Sequence, residues 1–215
     1  MGGAAGGRRP CPSRPRCAAH RAARPPAPCQ GRCPSIEAGI ITTRQDGIAT
    51  PLGVVRTWPG TDLDGMDAVR CDDQLHAVEP SLEGQLAFLQ NRFAVFQVLP
   101  LLTVGQVTGP LTEVLDLLWR DSATAVIVTS DPGQALPVGE LRRCDGEALQ
   151  AVVEGRELDA AQACHHVSIN AAVQLARRHG LSAELLGHDS SRTGSTRVAG
   201  TRTGRVHGFG ALVWS

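Results

Sequence analysis

Residues Thr124–Thr129, TAVIVT, constrain the fold of this sequence more than any other stretch. Every position is apolar or β-branched, so the segment has no polar face to offer to water. A strand of this kind belongs in a sheet covered on both faces, and that cover is normally helical. It ends in Ser130-Asp131-Pro132-Gly133, a turn beyond a strand's carboxyl edge, where α/β sheets place their sites. Around it, Gly39–Thr43, Gly53–Trp58, Val95–Val104, Leu181–Leu186 and Arg205–Trp214 read as strands. Asp62–Val69, Pro80–Phe93, Leu111–Trp119, Leu136–Val153 and Leu158–Ala163 read as helices. This alternation predicts the α/β class: a layered, largely parallel central sheet with helices on both faces and mixed edges. Thr124–Thr129 is its expected central strand, so a charge at Val126 or Ile127 is expected to prevent folding.

Chemistry gathers in Asp159–Gly180, DAAQACHHVSINAAVQLARRHG. Cys164 is followed directly by His165 and His166. Behind them Ile169, Val173 and Ala176 fall on one face at helical spacing, with Ser168 as the expected N-cap. Arg177, Arg178 and His179 suit the negative C-terminal end of a helix, and Gly180 suits its left-handed stop. A cysteine just before a helix N-terminus is biased toward thiolate. The alternative reading makes Cys164 a small buried hydrophobe and the two histidines solvent-facing.

The formal net charge is +0, which gives no general argument for a nucleic acid or an anionic membrane as partner. All basic residues are Arg, with neither Lys nor Tyr, a skew that fits GC-rich coding DNA. No apolar run reaches the roughly 18–20 residues of a membrane span, and no Sec-type signal is visible, so the expected compartment is the cytoplasm. Of seven cysteines, Cys71, Cys144 and Cys164 are widely spaced and read as thiols. Residues 1–35 contain Arg, Pro, Gly, Ala and Cys with almost no large apolar side chain, the composition of a disordered tail. Cys11, Cys17, Cys29, Cys33 and His20 are zinc-ligating types, but C-x5-C and C-x3-C spacings suit a zinc finger poorly. The tail also resembles an organelle transit peptide, although its prolines fit an amphipathic helix badly. A third reading is out-of-frame translation of upstream DNA. The expected organisation is this tail followed by one domain over residues 36–215.

Several stretches, in order, resemble the Memo-like family, known in prokaryotes as AmmeMemoRadiSam system protein B. The carriers are ATPLGVV (49–55), EPSLEGQLAFLQ (79–90), VLPLLTVG (98–105), TSDPGQA (129–135), Asp145 in RRCDGEAL, ACHHVSINAAVQLARRHG (163–180) and the closing HGFGALVW. The resemblance covers roughly residues 38–215. It implies a fold similar to the class III extradiol dioxygenases (LigB-like), here without its N-terminal part. It also implies a metal site built from histidines and the cysteine of an Ala-Cys-Gly segment. That cysteine corresponds to Cys164.

The departures fall on that chemistry. The two upstream histidine segments of the family are not found, and the histidine of its Glu-His-Ser motif corresponds to Pro80. The Ser-His-Tyr histidine corresponds to Gln134. Glu79, Ser81, Glu83, Asp131 and Cys164 keep matching types. A catalytic first-row metal site typically needs three protein ligands and an open position. The replacement set for iron or copper is Cys164, His165 and His76, with weak binding expected. Cys164, Asp131 and Glu83 are the catalytic candidates. Two functions follow: a non-catalytic interaction or accessory protein with a depleted metal site, or a metal-dependent redox or dioxygenase-like enzyme using Cys164 and nearby His. By resemblance, the partners of the first are radical SAM and AMMECR-like proteins.

Overall fold

The computed structural model describes residues 37–79, 81–130, 138–163, 165–190 and 208–215. They fall into two compact units, one of residues 37–79, 81–130 and 167–180, the other of 138–163, 165–166, 181–190 and 208–215.

The larger unit is organised around β1 (Gly39–Thr42), whose Ile40 and Ile41 are completely buried. It pairs in parallel with β4 (Val69–Cys71) on one side and antiparallel with β5 (Leu102–Val104) on the other. The order β4-β1-β5 thus makes a small mixed sheet. A separate hairpin, β2 (Gly47–Thr50) with β3 (Gly53–Arg56), turns through Pro51 and Leu52. Two helices follow β4: α1 (Asp73–Ala77), then α2 (Ser81–Arg92). Thr50 Oγ1 donates to Gln90 Oε1 at 2.5 Å and ties α2 to the hairpin.

Helix α3 (Thr108–Leu118) accepts Pro110 because a first-turn residue needs no amide proton for the helix ladder. Its Leu111, Val114, Leu115 and Leu118 form one apolar stripe at helical spacing. Helix α5 (His166–His179) meets this stripe with Val167, Ala171 and Leu175. Thr112 is fully buried, and its hydroxyl lies 2.8 Å from the Thr108 carbonyl and 3.0 Å from Gln174 Oε1. At the exposed end Arg178 pairs with Glu113 at 2.5 Å and His179 with Asp116 at 2.6 Å. Gly180 ends the helix at φ 67°.

In the smaller unit α4 (Val138–Val153) contacts a hairpin of β6 (Ala183–Ser190) and β7 (Gly208–Trp214). Gly210 lets the hairpin approach, since a Cβ there would stand 2.6 Å from Leu149 Cδ2.

The largely parallel central sheet expected from the sequence is not formed. The described strands make one three-stranded mixed sheet and two antiparallel hairpins. Thr124–Thr129 is not a strand: its burial alternates, and Ile127 is 55% exposed. An apolar, β-branched run becomes a strand only when neighbours satisfy its N–H and C=O groups. Among the described residues the segment has no strand neighbour. Val126 nonetheless packs on the core cluster, so its side chains contribute to packing without a ladder. Val95–Val104 shortens to the three residues of β5, with Val95 left 92% exposed. Leu158–Ala163 is a turn in which the Asp159 carboxylate accepts from the amides of Ala161 and Gln162. Asp62–Val69 reduces to one 3-10 turn, Thr61–Leu63.

Candidate functional site

Asp72 opens α1 by accepting from the amides of Gln74 and Leu75 at 3.1 and 3.0 Å. The next residue, Asp73, faces back to the end of β1. Its Oδ1 accepts from the Thr43 hydroxyl and from the Arg44 amide at 2.9 Å, with Cys71 Sγ at 3.8 Å. The Thr43 hydroxyl and then the Arg44 amide hold its carboxyl below the usual range. Burial, followed by the charge of Asp73, pushes the Cys71 thiol upward. That thiol is free and exposed, but these two causes work against a thiolate.

One turn into α1 stands His76. Its Nε2–H donates to the Ile41 carbonyl at 3.0 Å, which leaves the lone pair on Nδ1. Nδ1 is buried and has no hydrogen-bond partner among the described residues. Burial lowers the imidazole pKa from 6.5, against the opposing Ile41 hydrogen bond and then the charges of Asp73, Asp72 and Glu79. Glu79 then accepts from the Ser81 amide at 3.0 Å and starts α2, and Glu83 is exposed in the first turn of that helix. His76, Glu79 and Glu83 line one cleft of about 220 Å³ with Gln45, Ile48 and Leu82.

The sequence candidates belong to different units. His76 and Glu83 are on this cleft. His165 belongs to the other unit, half-buried in the turn before α5. His166 is the first residue of that helix, with Nδ1 3.2 Å from the Ala163 carbonyl. Cys164 and Asp131 lie outside the described residues, as does Pro80. Among the described residues no three His, Cys, Asp or Glu side chains come together closely enough to hold a metal ion. Ser168 is not the cap expected of it. The helix begins two residues earlier, and the Ser168 hydroxyl instead meets Thr103 Oγ1 at 3.1 Å. Cys144 also departs from the thiol reading, because it is disulfide-bonded. Sequence reasoning missed the Thr43–Asp73 clamp; the local signal for it was Asp72-Asp73 before a helical turn.

No protein-family model matches the chain and no curated protein matches it. No helix among the described residues is long and apolar enough to cross a membrane.

The geometry at His76 predicts a pH dependence of stability. A folded-state pKa below the unfolded value means that the unfolded chain takes up the proton first. The stabilisation is therefore complete above pH 6.5 and is lost as pH falls from there toward the lower folded pKa. His76→Gln keeps an N–H for the Ile41 carbonyl without a titrating group. Urea melts of the two proteins should show a midpoint falling with acidification in the parent and a flatter profile in the variant. Parallel profiles would show that His76 is not held neutral by the fold.

Proposed function

We propose that this chain is a Memo-like, AmmeMemoRadiSam system protein B-type domain with a depleted metal site, acting as an interaction or accessory protein. The expected compartment is the cytoplasm, and the expected partners are radical SAM and AMMECR-like proteins. The observation that carries an interaction role is the exposure of large apolar side chains on α2 and just after it. Phe88 is 75% exposed, Phe93 53% and Val95 92%. The chain has only four Phe, and Phe209 is a third with more than half its surface in water. Scarce aromatic surface left outside the core is the composition of a protein contact rather than of a free surface. Phe93 stands edge-on to Phe96 with centroids 6.3 Å apart, so the patch is partly ordered by its own rings.

The test is sedimentation of the purified chain with purified radical SAM and AMMECR-like proteins. A complex is expected, and Phe88→Asp with Phe93→Asp should weaken it by roughly a hundredfold, as loss of an interface anchor does. Absence of any complex, or indifference to both substitutions, would overturn the assignment of the patch. Metal content separates this reading from the enzymatic one. Iron and copper are expected far below one per chain, unchanged by Cys164→Ser. Stoichiometric metal that disappears with Cys164→Ser or His165→Ala would instead establish a closed coordination shell and favour the enzyme.

A further inference from the structure

Helix α4 is tied covalently to another part of the chain, because its Cys144 is disulfide-bonded. The partner is not Cys71, whose thiol is free. Cys144 is buried on α4 with Leu141, Ala151 and Val152, at the spacing of one helical stripe. A cation stands beside its sulfur: Arg143 Nη2 is 3.9 Å from Cys144 Sγ. The other terminal nitrogen, Nη1, donates to Glu147 Oε1 at 3.1 Å, one turn along the helix, and so fixes the guanidinium there. A positive charge at a cysteine sulfur stabilises the thiolate and not the uncharged disulfide. It therefore favours the reduced state and makes Cys144 the better leaving group in thiol exchange. A buried sulfur is poorly placed for attack by an external thiol, so leaving is the role that the geometry gives to Cys144. Glu147 shares the Arg143 charge, and the Arg143 side chain is 40% exposed, which limits the effect to that of a surface pair.

We propose that the Cys144 disulfide is a redox switch in α4, opened by a small thiol such as glutathione. A thiolate of that reductant attacks the partner sulfur, the protein S–S bond breaks, and Cys144 leaves as a thiolate beside Arg143. A second molecule of the thiol attacks the mixed disulfide and releases the partner cysteine. Two small thiols are oxidised to one disulfide, the protein disulfide is reduced to two cysteines, and the two protons of the attacking thiols pass to solvent or to those cysteines. Opening removes a cross-link that restricts the unfolded states of α4. The helix, with its close seat of Leu149 against Gly210 of the hairpin, then opens more often. The switch is independent of the aromatic patch around α2 and stands or falls apart from it.

The test is reduction of the full chain in buffers of mixed reduced and oxidised glutathione, read by alkylation with peptide mass mapping and by hydrogen exchange. Before reduction Cys71 is expected to take the label and Cys144 none. Within the glutathione series Cys144 should become labelled. Exchange in Val138–Val153 should then rise by roughly a hundredfold, while β1 and α3 keep theirs. Arg143→Ala should slow the opening by roughly threefold and move half-reduction to a higher proportion of reduced glutathione. Arg143→Lys keeps the charge and should restore most of both. Loosened packing alone would act in the opposite direction and ease reduction, so the sign of the shift separates charge from structure. Four results would each overturn the proposal: label on Cys144 without reductant, reduction by dithiothreitol but not by glutathione, unfolding of β1 and α3 together with α4, or a midpoint that Arg143→Ala leaves in place or moves toward easier reduction.

Discussion

Ile40→Asp is expected to leave no cooperatively folded larger unit. Ile40 is completely buried at the centre of β1, with β4 on one side and β5 on the other. Its side chain belongs to the cluster formed by Leu63, Val107, Leu111 and Val114. Removing it costs about 2–5 kcal/mol in lost contacts and cavity. Burying an unpaired carboxylate adds several kcal/mol more. Together these approach the whole stability of a domain, about 5–15 kcal/mol. Ile127→Asp is the informative comparison. The sequence alone gives Ile127 the same fate, yet its side chain is 55% exposed, so the carboxylate can reach water. Its cost is expected to stay within about 1 kcal/mol. Circular dichroism and thermal melts of both variants check the contrast. A folded Ile40→Asp protein would show that β1 is not the centre of the unit. An unfolded Ile127→Asp protein would restore Thr124–Thr129 to the core.

That comparison shows where sequence reading works here and where it stops. The start of α2 and the end of α5 are local. Ser81 at the start of α2, and the basic turn Arg177–His179 with Gly180 at the end of α5, act within one turn of chain, and those two boundaries follow them. Strands depend on what lies beside them, which no local pattern states. GIIT and TAVIVT have similar composition, but only GIIT finds partners on both sides. Ser168 has the right residue type for a cap; the helix starts earlier because His166 already closes a turn onto Ala163. The cleft was even less legible. Thr43 and Gln45 follow β1, while His76 and Glu83 follow β4, and only the parallel pairing of those strands brings two segments some thirty residues apart to one wall. His76 stood out in the sequence as a possible ligand. Its actual engagement with the Ile41 carbonyl depends on that pairing as well.

Gly105→Val should be the most damaging change at a position that presents no side chain. Gly105 follows β5 directly and has φ 72°, a left-handed conformation that costs an L residue about 1–2 kcal/mol and a β-branched one more. Space adds a second penalty. A Cβ at Gly105 would lie 2.7 Å from Ala38 Cβ and 3.3 Å from Ala38 Cα. Both atoms are fixed to the backbone that leads into β1, so no rotamer change relieves the contact. Relief requires the start of β1 to move, and Gly39 is paired there with Val104. Gly65→Val separates the two effects. Gly65 also has positive φ, 89°, but a Cβ there meets nothing within 4 Å. It carries the backbone penalty alone, and Gly105→Val carries the contact as well. Denaturant titrations should therefore place Gly65→Val about 1–2 kcal/mol below the parent, and Gly105→Val lower by a further 1–3 kcal/mol or so. Equal losses in the two variants would mean that the chain before β1 yields freely. It would then follow that the β1–β5 ladder, rather than the turn behind it, fixes the edge of the sheet.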